Sequence, residues 1–128
     1  MKDSPESAVF STRRIALVEG DRTAAEMLHT FFRLMDLEPS LVEPDERAIA
    51  TIRRLAPDVV LLDADLPNLR AVEIALELTD AVEGHEPPAI IFLTSRDSAD
   101  VLADCAVVKK PTRYEDCLAL MEVLLEVG

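Results

Sequence analysis

Asp63 closes the apolar run Val59, Val60, Leu61, Leu62; a second carboxylate stands two positions on at Asp65, and Pro67 follows. A strand that disappears inside a sheet gains nothing from an acid unless the acid stands at its open end. Three other polar residues stand in the same relation to apolar runs: Glu19 after residues 15–18, Thr94 after residues 89–93, and Lys110 close behind residues 106–108. Brought together, they make an acid pair, a hydroxyl and an ammonium. Neighbouring carboxylates repel, and each raises the other's pKa unless a cation neutralises them, so Glu19 and Asp63 call for a hard, oxygen-loving metal such as Mg²⁺. With that ion, Asp63 could act as a nucleophile on a phosphoryl group and become an aspartyl phosphate. The Thr94 hydroxyl would then donate to a phosphate oxygen, and Lys110 would supply a compact positive charge. In such chemistry the protein mostly positions and neutralises.

These ends meet only if the strands lie side by side, and the rest of the chain reads as strand then helix, five times over. Residues 14–18 suit a buried strand bounded by Glu19 and Gly20. Asp21 can cap a helix over residues 23–35, where Ala24, Met27, Leu28, Phe31, Leu34 and Met35 recur at helical spacing. Pro39 and Pro44 bracket a weak strand at residues 40–43, and Ala48, Ile49, Ile52 and Leu55 mark one face of a helix over residues 46–55 that Pro57 ends. The runs 59–62 and 89–93 show no alternation, the mark of strands covered on both faces. Between them a helix over about residues 70–82 turns Val72, Ile74, Ala75 and Leu78 inward, and residues 84–88 form a loop. Residues 97–104 have room for two helical turns at most, and residues 106–108 form the last strand. After the break at Pro111, Thr112 can cap a strongly amphipathic final helix over residues 114–127, inward through Leu118, Met121, Leu124 and Leu125. Such an order implies an α/β fold, an open parallel sheet with helices on both faces, in which ligands gather beyond the carboxyl ends of the strands. Residues 1–12, small and polar, are expected to be a disordered tail, leaving residues 13–128 as the one domain.

Composition narrows the function classes. About half of the 128 residues are apolar, enough for one real core. Lys and Arg total 13 against 25 Asp and Glu, a net charge of −12, which argues against direct contact with nucleic acid or an anionic membrane and for a basic partner or a cation. No signal peptide and no apolar stretch of roughly 18 residues is present, so a cytoplasmic protein is expected, with Cys105 and Cys117 as reduced thiols. Two isolated histidines, His29 and His85, build neither a metal cluster nor a triad. Glycine occurs only at Gly20, Gly84 and Gly128, so there is no dinucleotide fingerprint and no P-loop.

From Arg14 to Val127 the sequence resembles the receiver domain of two-component response regulators. Asp63 with Leu66-Pro67 matches that family's phosphoacceptor run, Thr94 its strand-four hydroxyl, and Lys110-Pro111 its lysine–proline step, a pair the family joins by a cis peptide bond. The resemblance implies a flavodoxin-like (βα)5 fold with strand order 2-1-3-4-5 and Asp63 as phosphoacceptor, with a sensor histidine kinase or phosphotransfer protein as donor. It also implies a downstream protein or fused effector domain as reader, leaves room for a homodimer, and makes the domain a signalling element whose own chemistry is limited to Mg²⁺-dependent self-phosphorylation and autodephosphorylation. Four positions depart from the pattern. The family's second acid after strand one, a direct Mg²⁺ ligand, is Gly20 here, which weakens the metal site; either the side chain of Asp65, at the position that gives the metal a backbone carbonyl, or a longer reach by Glu19 would restore the charge. The family's switch aromatic is Val107, its glycine after the phosphoacceptor is Ala71, and the stretch between Thr94 and Lys110 is about six residues short, which implies a shortened helix four. A phosphorylation switch is therefore expected, and its rival is a degenerate receiver that binds proteins without phosphate turnover. After the last helix no room remains for an effector domain, as in a stand-alone relay or a piece of a longer regulator.

Overall fold

A computed structural model describes residues 14–80, 84, 86–96 and 105–127. Its sheet is built from β1 (Arg14–Val18), β2 (Glu38–Val42), β3 (Val59–Asp63), β4 (Ala89–Thr94) and β5 (Ala106–Lys109), and its helices are α1 (Arg22–Leu34), α2 (Ala48–Leu55), α3 (Arg70–Thr79) and α4 (Tyr114–Val127). The strands are parallel throughout and lie in the order β2-β1-β3-β4-β5. This is the expected flavodoxin-like architecture. The disordered tail at residues 1–12 and the shortened helix at residues 97–104 lie outside the described residues.

Alternation along the strands sorts the core into two layers. Ile15, Leu17, Val59, Leu61, Ile91 and Leu93 face α1 and α4, while Ala16, Val18, Val60, Leu62, Ile90 and Phe92 face α2 and α3. The three inner strands are thus buried on both sides, and this is why their sequences carry no polar alternation. Asp21 caps α1 as expected, its Oδ1 accepting from the Thr23 and Ala24 amides. At α4 the roles are reversed. Thr112 does not accept; the carboxylate of Asp116 does, taking the Thr112 and Arg113 amides and the Thr112 hydroxyl.

Several boundaries and faces differ from the sequence expectation. β2 starts at Glu38 and takes in Pro39, because β2 is an edge strand and a proline's missing donor costs nothing on an unpaired side. The α2 helix begins at Ala48, without a side-chain cap. In α1 the buried residues are Ala25, Leu28, Phe31 and Phe32, while Leu34 and Met35 are exposed. In α4, Cys117, Leu120, Met121 and Leu124 face the core, and Leu118 and Leu125 face outward. Both sets fit helical spacing, since apolar residues cover more than one face of α4, and periodicity cannot choose between them. Ala71, where the resemblance places a glycine, is buried in α3, and the left-handed turn before it is made by Asn68 (φ 59°). The Lys110–Pro111 bond is trans, not cis; the Lys110 amide continues the β5 pairing by donating to the Thr94 carbonyl at 2.7 Å.

The two candidate faces of α4 are separable by experiment. Leu120 is fully buried and Leu118 is 56% exposed, so Leu120→Ala should lower the free energy of urea unfolding by about 2–5 kcal/mol and Leu118→Ala by less than about 0.5 kcal/mol. Equal losses would return Leu118 to the core.

Candidate functional site

The register explains how distant residues meet. Val18 lies beside Leu62, Asp63 beside Leu93 and Thr94 beside Lys109, so four strands end at one level. Alternation then decides direction. Asp63 follows Val59 and Leu61 in phase, Glu19 follows Ile15 and Leu17, and Lys110 follows Ala106 and Val108, so all three belong to the α1/α4 side of the sheet edge. Thr94 follows Ile90 and Phe92 and belongs to the other side.

At the centre is one ammonium. Lys110 Nζ lies 2.9 Å from Asp63 Oδ1, 3.0 Å from Glu19 Oε2 and 3.4 Å from Asp65 Oδ2. Asp63, 3% exposed, has both oxygens engaged: Oδ2 accepts from the Gly20 amide at 3.0 Å, and Oδ1 from the Asp65 amide at 2.8 Å as well as from Lys110. Glu19 Oε2 also accepts from the Asp21 amide at 3.0 Å, whereas Oε1 is buried with no hydrogen-bond partner.

Asp65 also reaches the end of β4. Its Oδ1 accepts from the Thr94 hydroxyl at 3.0 Å and its Oδ2 from the Ser95 amide at 2.8 Å. Of the residues picked out in the sequence, Asp63, Glu19 and Lys110 are brought into direct contact, and Thr94 joins them through Asp65. The amides of Gly20 and Ser95 were not anticipated. No side-chain signal marks a backbone donor, although the phase of Thr94 along β4 could have shown that its hydroxyl would miss Asp63.

Electrostatics follow from this packing. Burial, and then the neighbouring Asp63, push the Glu19 carboxyl up to about 7 from an ordinary 4.5. Burial pushes Asp63 up too, but its contacts with Glu19, Lys110 and the Gly20 and Asp65 amides outweigh this and hold it below the ordinary carboxylate value. Burial pulls Lys110 down, and Asp63 and Glu19 more than reverse that, leaving it above an ordinary lysine. Asp65 is likewise held low, as bonds from Ser95 and Thr94 and the charge of Lys110 overcome the effect of burial.

A hard cation would find suitable donors here, carboxylates with one buried Glu19 oxygen left over. As the side chains stand, however, Lys110 lies among the acids, and among the described residues no three Asp, Glu, His or Cys side chains form a cluster ready for a metal. Gly20 leaves little space for an added acid. A Cβ there would lie 3.2 Å from Leu66 Cδ2 and 3.3 Å from Asp63 Oδ2.

Comparison with known proteins agrees with this fold. Residues 15–112 match the family model described as the response regulator receiver domain. The positive alginate biosynthesis regulatory protein of Pseudomonas aeruginosa is 34% identical over 110 residues, covering 80% of this chain and 43% of that protein. The DNA-binding response regulator MtrA of Mycobacterium tuberculosis is 30% identical over 91 residues, covering 70% of this chain and 38% of the relative. The chain therefore spans less than half the length of these relatives. Among solved structures, the BeF3-activated N-terminal receiver domain of Klebsiella pneumoniae RstA superposes with a TM-score of 0.68 at 27% identity, covering 88% of this chain and 98% of that one. A CheY-like receiver domain from Methylobacillus flagellatus reaches a TM-score of 0.71 at 14% identity, over 88% and 98% of the two chains, and speaks for the fold alone.

The raised Glu19 has a measurable consequence. Between 4.5 and about 7 the folded protein keeps a proton that the unfolded chain has released, so stability should be fullest below pH 4.5 with respect to this group and fall as pH rises through 7. Asp63, shifted below 3.8, and Lys110, shifted above 10.5, change charge outside that window. Urea midpoints measured across it should slope downward for the native chain and flatten for Glu19→Gln; an unaltered slope would assign the dependence elsewhere.

Proposed function

The chain belongs to the response regulator receiver family, and from that premise we propose that it is a phosphorylation switch in which Asp63 accepts a phosphoryl group. What carries the reading is the contact of Lys110 Nζ with Asp63 Oδ1 at 2.9 Å, made at the level sheet edge with Glu19 beside it. Asp63 is depressed and so ionised at neutral pH, as a nucleophile must be. A carboxylate oxygen of Asp63 would bond to phosphorus while the phosphorus–nitrogen bond of a phosphohistidine donor breaks, the imidazole keeping the electron pair and taking a proton from water. Lys110 then has a phosphoryl oxygen to neutralise in place of a carboxylate. Glu19 and Asp63 would hold Mg²⁺, which when bound supplies the positive charge that lets a phosphodonor approach three acids. The side chain of Asp65, also expected to lend its charge to the ion, is engaged with Thr94 and Ser95.

A sensor histidine kinase or phosphotransfer protein fits as the donor. The reader would be a separate protein, a second copy of the chain, or an effector domain fused in a longer protein; the relatives include one described as DNA-binding, but a net charge of −12 makes this domain itself a poor ligand for nucleic acid. No described helix is long and apolar enough to cross a membrane, in keeping with a cytoplasmic role. A second reading, a receiver that binds partners without phosphate turnover, is favoured by one observation: Lys110 already touches all three acids, so the cluster needs no metal to be neutralised in part.

Incubation with Mg²⁺ and acetyl phosphate should give a labile phosphoryl adduct by intact mass, absent from Asp63→Asn. No adduct at high Mg²⁺ would favour the second reading. Gly20→Asp should tighten Mg²⁺ roughly tenfold by calorimetry, since it adds a hard ligand and the end of the Leu66 side chain can shift to admit it; unchanged affinity would count against the placement of the ion.

A further inference from the structure

We propose that Asp65 is a positioning residue that competes with a phosphoryl group on Asp63 for Thr94 and Lys110, and so ties the state of Asp63 to the chain leaving β4. The inference rests on the reading of Asp63 as phosphoacceptor and concerns a residue outside the Glu19–Asp63 pair. It follows from counting protons.

A threonine hydroxyl has one proton to donate, and that of Thr94 goes to Asp65 Oδ1 at 3.0 Å. The Thr94 hydroxyl oxygen in turn accepts from the Arg96 amide at 3.1 Å, which fixes the rotation of the hydroxyl further. The one proton of the Ser95 amide goes to Asp65 Oδ2 at 2.8 Å. An ammonium has three protons, and Lys110 faces three acceptors, of which Asp65 at 3.4 Å is the most distant. A phosphoryl oxygen can therefore gain the hydroxyl only by taking it from Asp65, and gains the ammonium most easily at the cost of that same long contact. Asp65 is also fastened to the acceptor itself, its amide donating to Asp63 Oδ1 at 2.8 Å. One residue thus links the reacting carboxylate to Thr94, Ser95 and, through Thr94, Arg96. Once Asp65 gives up Thr94, Ser95 still ties it to the end of β4.

The test uses the full chain with acetyl phosphate and Mg²⁺, and compares Asp65→Ala and Asp65→Asn, alone and combined with Thr94→Val. Amide hydrogen exchange on the unphosphorylated protein should be faster at Ser95 in Asp65→Ala, with the core strands unchanged. After removal of the donor, the adduct should last about tenfold longer in Asp65→Ala than in the native chain. In Asp65→Asn, which keeps an acceptor but no charge, the gain should be smaller. The gain should vanish on the Thr94→Val background, because it passes through the freed hydroxyl; a gain that persists there would overturn the proposal, as would unaltered exchange at Ser95. Should the native chain take up no phosphoryl group, the reading of Asp63 fails, and Ser95 exchange alone still decides whether Asp65 holds the end of β4.

Discussion

One lysine ammonium is asked to compensate three carboxylates at the edge of the sheet, and the rest of the site depends on that imbalance. Glu19 and Asp63 are nearly inaccessible to solvent, and desolvating two like charges side by side is unfavourable unless a cation or a proton intervenes. Lys110 supplies the cation, yet burial, and then the neighbouring Asp63, still hold the Glu19 carboxyl up at about 7. Backbone donors make up part of the remainder. The amides of Gly20, Asp21, Asp65 and Ser95 each point at a carboxylate oxygen of the cluster, which is possible only because loops leave the strand ends with their N–H groups free of the sheet ladder. The partnerless Glu19 Oε1 is what these donors leave unmet.

Much of this was legible in the sequence because parallel sheets expose little but their ends. Runs such as residues 59–62 and 89–93, short and flanked by Pro57 and Pro88, read as buried strands, and a parallel order aligns their last residues, so Asp63, Glu19 and Lys110 could be brought together from pattern. What was not legible lies where two physical answers compete. The final helix carries apolar residues on more than one face, and whether Leu118 or Leu120 is inside depends on how the helix lies against α1 and the sheet. Pro39 suggested a boundary and became part of an edge strand, since proline is excluded only from strands paired on both sides. Asp65 was expected to offer its charge to the metal as one of two alternatives. Its carboxylate also meets the Ser95 amide and the Thr94 hydroxyl, donors that only the folded approach of the β3 loop to the end of β4 creates.

Gly20 and Asp65 are two parts of one arrangement. With no side chain at position 20, its amide closes on Asp63 Oδ2, and the space where a Cβ would stand is bounded by Leu66 and by Asp63 itself. The Asp63 carboxylate is thereby held from two sides by amides, with Lys110 as its only cationic contact among the described residues. Position 20 brings no carboxylate, while position 65 brings a third one near the lysine and engages it with the Thr94 hydroxyl and the Ser95 amide. On the proposed reading, the charge missing at position 20 weakens metal binding, and the charge present at position 65 restrains Thr94.

That restraint bears on how a signal would leave the site. Val107, where the resemblance places an aromatic ring, is a half-buried aliphatic residue packed toward the α2/α3 layer, and its stiff, branched side chain has no large rotation to offer. On the proposed reading, a change at Asp63 would then travel by another route. Both parts of such a route are in place: the Asp65 amide sits on the acceptor oxygen, and the Asp65 carboxylate sits on the last residue of β4 and the first residue beyond it. Hydrogen bonds of this charge-assisted kind are stronger than neutral ones, yet each is lost outright when its single proton is drawn elsewhere. A coupling built on these bonds would be discrete and would need no moving ring.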